Sequence, residues 1–279
     1  SLGTTFTASD VSLSAPFSGG ASIGVAGSAD LYTVTVTPAN PNADGNIGIT
    51  IGTNVSDSLG NAYTGGSSPA QFKIDNTAPT VTVTSSNPTL TADTTPDLAG
   101  TVTDGSGVGV ASVNVQVGGQ NVAATVSGNS WTVSGALLTP LASGLYSVTA
   151  TASDALANSA SDPTSNELRV DATPPAITVA SFTTNSVTPT LTGSISDPGS
   201  GVNQSTFVVT LDGSPVTATI TGTTWTAPAG TLSAGIHNVT ATADDNLGNA
   251  PASPSAGTVI VDASAPQVTI DPQSTQNTT

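Results

Sequence analysis

Cysteine and methionine are both absent from the 279 residues. No disulfide can form and no thiolate can hold a metal or attack a substrate, so the fold must be held by packing, hydrogen bonds and ions. Histidine occurs once, at His237; one imidazole cannot serve several domains, no Ser-His-Asp grouping stands out, and a structural role is expected for it. Lys and Arg together number 2 against 18 Asp and Glu, a formal net charge of -16. Such a surface repels nucleic acid and anionic lipid. The only lysine is Lys73, so Lys-Asn cross-links cannot hold every domain. Aromatics make up 4%, and each core must therefore be built mainly from Val, Ile, Leu and Ala around one or two rings. Apolar runs are short and broken by Thr, Ser and Gly, which excludes a membrane-spanning helix. No glycine-rich loop lies between a strand and a helix to cradle phosphate. These absences argue against an enzyme. Ser1 does not open a signal peptide; if the parent protein is secreted, its targeting signal lies outside these residues.

What remains is strand signal. Leu31–Thr37, Thr80–Thr84, Ser112–Val117, Leu145–Ala152 and Ile236–Ala243 alternate apolar and polar residues with period two, as half-buried strands require. Gly, Pro, Asn and Asp punctuate them. Above this lies a repeat. Asp75-Asn-Thr-Ala-Pro79, Asp171-Ala-Thr-Pro-Pro175 and Asp262-Ala-Ser-Ala-Pro266 each precede a short alternating run, at spacings of 96 and 91 residues, close to the length of one immunoglobulin-type sandwich. The proline makes each joint short and stiff. Within the repeats Thr95–Asp104 matches Thr188–Asp197, Trp131 matches Trp225, Gly144–Asp154 matches Gly235–Asp245, and Ala155–Asn158 matches Asn246–Asn249. The fold class expected is all-β, tandem immunoglobulin-like β-sandwich modules in an elongated array. Module boundaries are expected at 1–76 (lacking its first strands), 77–171 and 172–262, with 263–279 the first strand of a further module or a strand donated to another chain. Trp131 and Trp225 are expected to anchor the cores; Tyr146, at the start of its strand, suits a tyrosine corner, a place taken by His237 in the next repeat.

The motifs D-x-T-A-P, T-P-x-L-x-G-x-x-x-D, W…G-x-Y-x-V-x-A-x-A-x-D and D-x-x-G-N together resemble the bacterial Ig-like tandem repeats of large cell-surface adhesins and biofilm proteins. Phe6-Thr-Ala-Ser-Asp-Val11 is similar to a second Ig-like subtype of the same proteins. The resemblance covers essentially the whole chain and implies an extracellular, cell-surface structural or adhesive role, with Ca²⁺ at module junctions in many relatives. Two departures stand out: Ala155-Leu-Ala-Asn158 lacks the glycine of D-x-x-G-N, and His237 replaces the tyrosine.

In an immunoglobulin-type sandwich the first strand starts at the end that carries the B–C and F–G loops. The linker residue Asp75 should then meet Asp104 of the B–C loop and Asp154 with Asn158 of the F–G loop. In the next repeat the same places belong to Asp171, Asp197, Asp245 and Asn249, with Asp244 a substitute or aid for Asp245. Asp57, with Asn61, marks the F–G loop of the first module, and Asp262 would serve a following one. Carboxylates gathered in threes repel unless a cation lies between them, and an all-oxygen set suits Ca²⁺ with its 6–8 ligands. The alternative is that each Asp caps its own turn in water. Three functions follow: a calcium-stiffened extender (stalk) of a surface adhesin, a fibre subunit assembled by strand donation between copies, or a module that binds glycan or protein. The expected partners are neighbouring modules of the same array and other copies of the chain, with no nucleic acid and no membrane insertion.

Overall fold

The computed structural model describes residues 6–14, 20–28, 31–40, 44–64, 67–84, 89–105 and 107–270. Among them regular structure is strand, with single 3-10 turns at Ala8–Asp10, Gly135–Leu137 and Gln204–Thr206. No helix among the described residues is long and apolar enough to cross a membrane. The chain is all-β and its modules are β-sandwiches. It divides into two compact units: Ser1–Thr89, Thr95–Leu141 and Leu145–Leu168 form the first, and Leu90–Thr94, Ala142–Gly144 and Arg169–Thr279 the second.

The first unit opens with the hairpin Ala21–Ser28 and Leu31–Pro38 and with a sheet ordered Val11–Leu13, Gly45–Ile51, Ser67–Ile74. Phe6, Val11 and Val55 are buried between them, and Phe6 meets Tyr32 edge to face at 5.3 Å. A sandwich follows. One sheet runs Gln120–Ala123, Val110–Val117, Val148–Asp154, Ser159–Ser161; the other runs Thr125–Ser127, Ser130–Val133, Leu98–Thr103, Thr80–Val83. Period-two alternation turns Val113, Val115 and Val117 inward from one strand and Val148, Ala150 and Ala152 from its neighbour, as the pleat requires. Trp131 is fully buried and its indole Nε1 donates to Thr82 O at 3.0 Å. Gly100, opposite Trp131 in the register, has no side chain because a Cβ there would overlap both the ring and Thr82 O. The run Leu145–Ala152 read as one strand divides into Gly144–Tyr146 and Val148–Asp154. The break falls at Ser147, beside Val148, which pairs with Val117 and whose N–H donates to the buried carboxylate of Glu167 at 2.9 Å.

The second unit repeats the scheme. Ala176–Ile177, Thr190–Ser196, Thr224–Pro228 and Thr219–Thr221 form one sheet; Phe182–Thr184, Ser255–Val261, Gly235–Thr242, Val208–Leu211 and Ser214–Val216 form the other. Trp225 occupies the place of Trp131, donating to Thr178 O at 3.0 Å over Gly193. Residues 263–270 carry no strand, and 271–279 lie outside the described residues.

His237 is buried, with Nδ1 2.7 Å from Asp212 Oδ2 and Nε2 3.0 Å from Ser233 O. Two oxygen acceptors favour the doubly protonated ring, so the Asp212 carboxylate first and the Ser233 carbonyl second raise its pKa above the ordinary 6.5. The same contact, with the Asn238 N–H, holds Asp212 below the usual carboxylate value. A His pKa raised by folding adds stability that is complete below the unfolded value and is lost as pH rises through the folded one. The second unit should therefore melt lower at about pH 8.5 than at about pH 6, by a few degrees at most because the half-exposed Asp212 is screened. His237→Gln should flatten that slope in calorimetric scans. An unchanged slope in the variant would assign the pH dependence elsewhere.

Candidate metal centre

The site grows from the end of a buried row. In strand Val148–Asp154 the inward positions are Val148, Ala150, Ala152 and then Asp154. Alternation thus places a carboxylate where the core reaches the loops. The loop that follows closes on it: Asp154 Oδ1 accepts from the N–H of Leu156 at 2.8 Å and of Asn158 at 2.9 Å, and Oδ2 accepts from Asn158 Nδ2 at 2.7 Å. Asp245 takes the same bonds from Leu247 and Asn249, and Asp57 from Leu59 and Asn61. The D-x-x-G-N segment is therefore a self-contained turn that folds alike in three places.

The fourth residue of that turn sits at positive φ: 86° at Gly60, 86° at Gly248 and 69° at Ala157. An L side chain there costs about 1–2 kcal/mol, and glycine gives back part of this as extra freedom in the unfolded chain. Ala157→Gly should stabilise the first unit by about 0.5–1 kcal/mol, read as a higher denaturation midpoint. A lower midpoint would show that the Ala157 methyl makes contacts that outweigh the backbone cost.

Two further elements reach Asp154. The linker leaves strand Ser67–Ile74 and brings Asp75, itself buried. The loop after strand Leu98–Thr103 brings Asp104, half-buried. One oxygen from each of Asp75, Asp104 and Asp154 lies within 4.8 Å of the others. The loop supplies N–H groups as well: Val108 N donates to Asp75 Oδ2 and Gly109 N to Asp104 Oδ2, both at 2.6 Å. Asn158 Nδ2 also donates to Asp75 O at 2.9 Å, clasping linker to F–G loop. On the other side of the linker, Asp44 accepts from Asn76 N at 2.9 Å and from the Thr77 hydroxyl.

The second unit builds the same group. Asp171, Asp197 and Asp245 bring one oxygen each within 4.8 Å of the others, and Asp245 is fully buried. Ser200 N donates to Asp171 Oδ2 at 2.5 Å, Gly199 N to Asp197 Oδ1 at 2.7 Å, and Asn249 Nδ2 to Asp171 O at 2.8 Å. Asp244, beside Asp245, is not in the group; its N–H is held by the Thr206 hydroxyl at 2.8 Å.

The electrostatics favour the ionised form at Asp154 and Asp171. Burial is the largest influence on Asp154 and pushes its pKa up, but the Asn158 side chain and the N–H groups of Asn158, Leu156 and Ala157 outweigh it and leave the group below the usual range. Asp171 is likewise pushed up by burial and brought lower overall by the N–H of Ser200 and by Thr173. The donor set fits a hard cation. In Ca²⁺ sites the metal–oxygen distance is about 2.3–2.6 Å, so oxygens up to about 5 Å apart can share one ion. Asp104 Oδ1 and Asp197 Oδ2 are buried and have no hydrogen-bond partner, which is costly for a carboxylate unless a ligand takes them. Gly107 and Gly199 bring loop backbone against the carboxylates where any Cβ would overlap them.

Thus Asp75, Asp104 and Asp154 meet, as do Asp171, Asp197 and Asp245. Asn158 and Asn249 are adjacent, but each turns its amide nitrogen toward the linker and the F–G carboxylate. Asp57 keeps its turn with Asn61 and joins no acidic group among the described residues, and Asp262 is exposed with its carboxylate accepting from Ser264 N at 3.1 Å. Reading the sequence missed the two glycines and the loop N–H donors. The Gly-rich stretch after each loop Asp was a usable signal for close backbone approach.

Two family models match the chain, a bacterial Ig-like domain over residues 70–172 and a bacterial Ig-like domain of group 3 over residues 129–216. No curated protein matches it at a significant level. Among solved structures it is similar to the Escherichia coli adhesin FdeC, at 16% identity over 89% of this chain and 84% of that one with a TM-score of 0.38. It is similar to a 1.5-MDa bacterial ice-binding adhesin at 16% identity over 83% and 80%, TM-score 0.33. The fibronectin(III)-like modules of Clostridium thermocellum CbhA show 17% identity over 69% and 100%, TM-score 0.29. Likeness this distant says nothing of function. The family matches run over residues 70–216 and identify that stretch, which holds the buried Trp131, as bacterial Ig-like domain sequence.

Proposed function

We propose that this chain is a structural segment of an extracellular surface adhesin, and that Ca²⁺ held by each carboxylate triad fixes a linker to the module that follows it. The carrying observation is that a linker carboxylate meets two loop carboxylates at two equivalent places, each with a buried, unpartnered oxygen. Asp75, Asp104 and Asp154 would hold one ion and Asp171, Asp197 and Asp245 the other, with loop carbonyls and water completing the shell. When bound, the ion supplies charge neutralisation and short ionic contacts to three chain segments at once. The proline-bearing linker then loses its hinge freedom, so load applied along the chain meets a stiff joint.

The test is calcium titration of the intact chain by calorimetry, with melting followed in calcium and in chelator. Two sites per chain and a lower melting temperature in chelator are expected. Heat-free titration with superimposable melting curves would remove the calcium reading and leave the Ig-like fold untouched.

A further inference from the structure

The chain has only one lysine and one arginine, Lys73 and Arg169, and both stand two residues before a triad aspartate, Asp75 and Asp171. Chance placement of so rare a residue type at the same step of two repeats calls for a physical reason, and the structure supplies one. Lys73 Nζ donates to Gly107 O and Arg169 Nη2 donates to Pro198 O. Each acceptor belongs to the loop that carries the second triad carboxylate.

The bonded peptide groups are informative. The carbonyl of Gly107 and the N–H of Val108 are two ends of one peptide unit; Lys73 holds the first and Asp75 accepts from the second at 2.6 Å. In the second unit the peptide from Pro198 to Gly199 offers its carbonyl to Arg169 and its N–H to Asp197 at 2.7 Å. In both, a cation faces the negative end of a peptide dipole and a triad carboxylate faces its positive end. That order is mutually strengthening, because polarising the carbonyl makes the N–H a better donor.

We propose that Lys73 and Arg169 are resident counter-cations of the two triads, each ordering its loop against a triad carboxylate through one polarised peptide before any metal arrives, that carboxylate being the linker's Asp75 in the first unit and the loop's own Asp197 in the second. They are positioning residues, acting on the carboxylates through the loop backbone. The loop is then ordered in the ion-free protein, and binding does not have to supply that ordering. This deepens the calcium reading and rests on it for one of its two readouts. An exposed charge is screened by water and salt, so the repulsion between Lys73 and a bound cation is smaller than the gain from a prefolded loop.

The experiment compares the intact wild-type chain with Lys73→Met and Lys73→Arg. In chelator, amide exchange at Val108 should be about tenfold faster in Lys73→Met, the size expected for losing one hydrogen bond to a charged group, and close to wild type in Lys73→Arg. Calcium affinity at the Asp75 triad should fall by about the same factor in Lys73→Met and recover in Lys73→Arg, while the Asp171 triad, with Arg169 intact, serves as an internal control. Unchanged exchange at Val108 overturns the proposal, as does tighter calcium binding in Lys73→Met or failure of Lys73→Arg to rescue. If wild type binds no calcium, the proposed function falls, and the exchange measurement in chelator still decides this inference by itself.

Discussion

Asp171→Asn should remove the calcium-dependent part of the second unit's stability while changing its stability in chelator by no more than about 1 kcal/mol. Binding to the native state alone adds about 2.7 kcal/mol when free calcium is about 100 times the dissociation constant. For a unit of about 100 residues that corresponds to roughly 10–20 °C in melting temperature. Asp171 lies against both other carboxylates, and its Oδ2 accepts from Ser200 N. Asparagine keeps an acceptor oxygen for that N–H and loses the charge. Without metal, relief of repulsion among three carboxylates offsets the weaker hydrogen bonding. If calcium binds as proposed, one of three anionic ligands would be gone. The signature is thus a melting curve that no longer responds to chelator, while the first unit, with Asp75, Asp104 and Asp154 intact, still does. A variant whose melting still rises with calcium as much as wild type would show that Asp171 is not a ligand.

Trp225→Ala should cost the second unit about 3–5 kcal/mol, the range for removing a large buried aromatic. Trp225 is fully buried, its ring centroid is 5.9 Å from that of Phe207, and its indole N–H satisfies Thr178 O. Truncation opens a cavity and removes the hydrogen bond to the Thr178 carbonyl, and these two costs add. The neighbouring strand cannot fill the space, since Gly193 has no side chain to move. Trp225→Phe should recover part of the packing but not the hydrogen bond. Urea denaturation measures both. A loss below about 1 kcal/mol in Trp225→Ala would mean that the surrounding strands collapse onto the gap and that the tryptophan is not the anchor.

Much of the architecture was legible because β-structure writes its period into the residues. Val113, Val115 and Val117 read as one buried face and are one. The exception is instructive: Leu145–Ala152 looks continuous, yet it divides before Val148, whose N–H is taken by Glu167, a partner 19 residues away. The triads were legible as equivalent positions in two repeats. Their company was less so. Asp57 carries the same turn as Asp154 and joins no acidic group of three among the described residues, because the turn is local while the companions come from a linker and another loop. Asn158 was read as an oxygen ligand, but its place is set by the carboxylate and carbonyl around it, and these call for its nitrogen.

Alternation, proline-marked joints and a repeated set of aspartates are enough, by themselves, to determine an all-β chain of sandwich modules and to nominate which carboxylates could meet. Only the tertiary structure decides which of them do meet, which oxygens are left unpaired and where Lys73 and Arg169 reach. Local sequence sets backbone direction and side-chain face over a few residues, whereas a site made from linker, B–C loop and F–G loop depends on distances between segments far apart along the chain, which packing alone fixes.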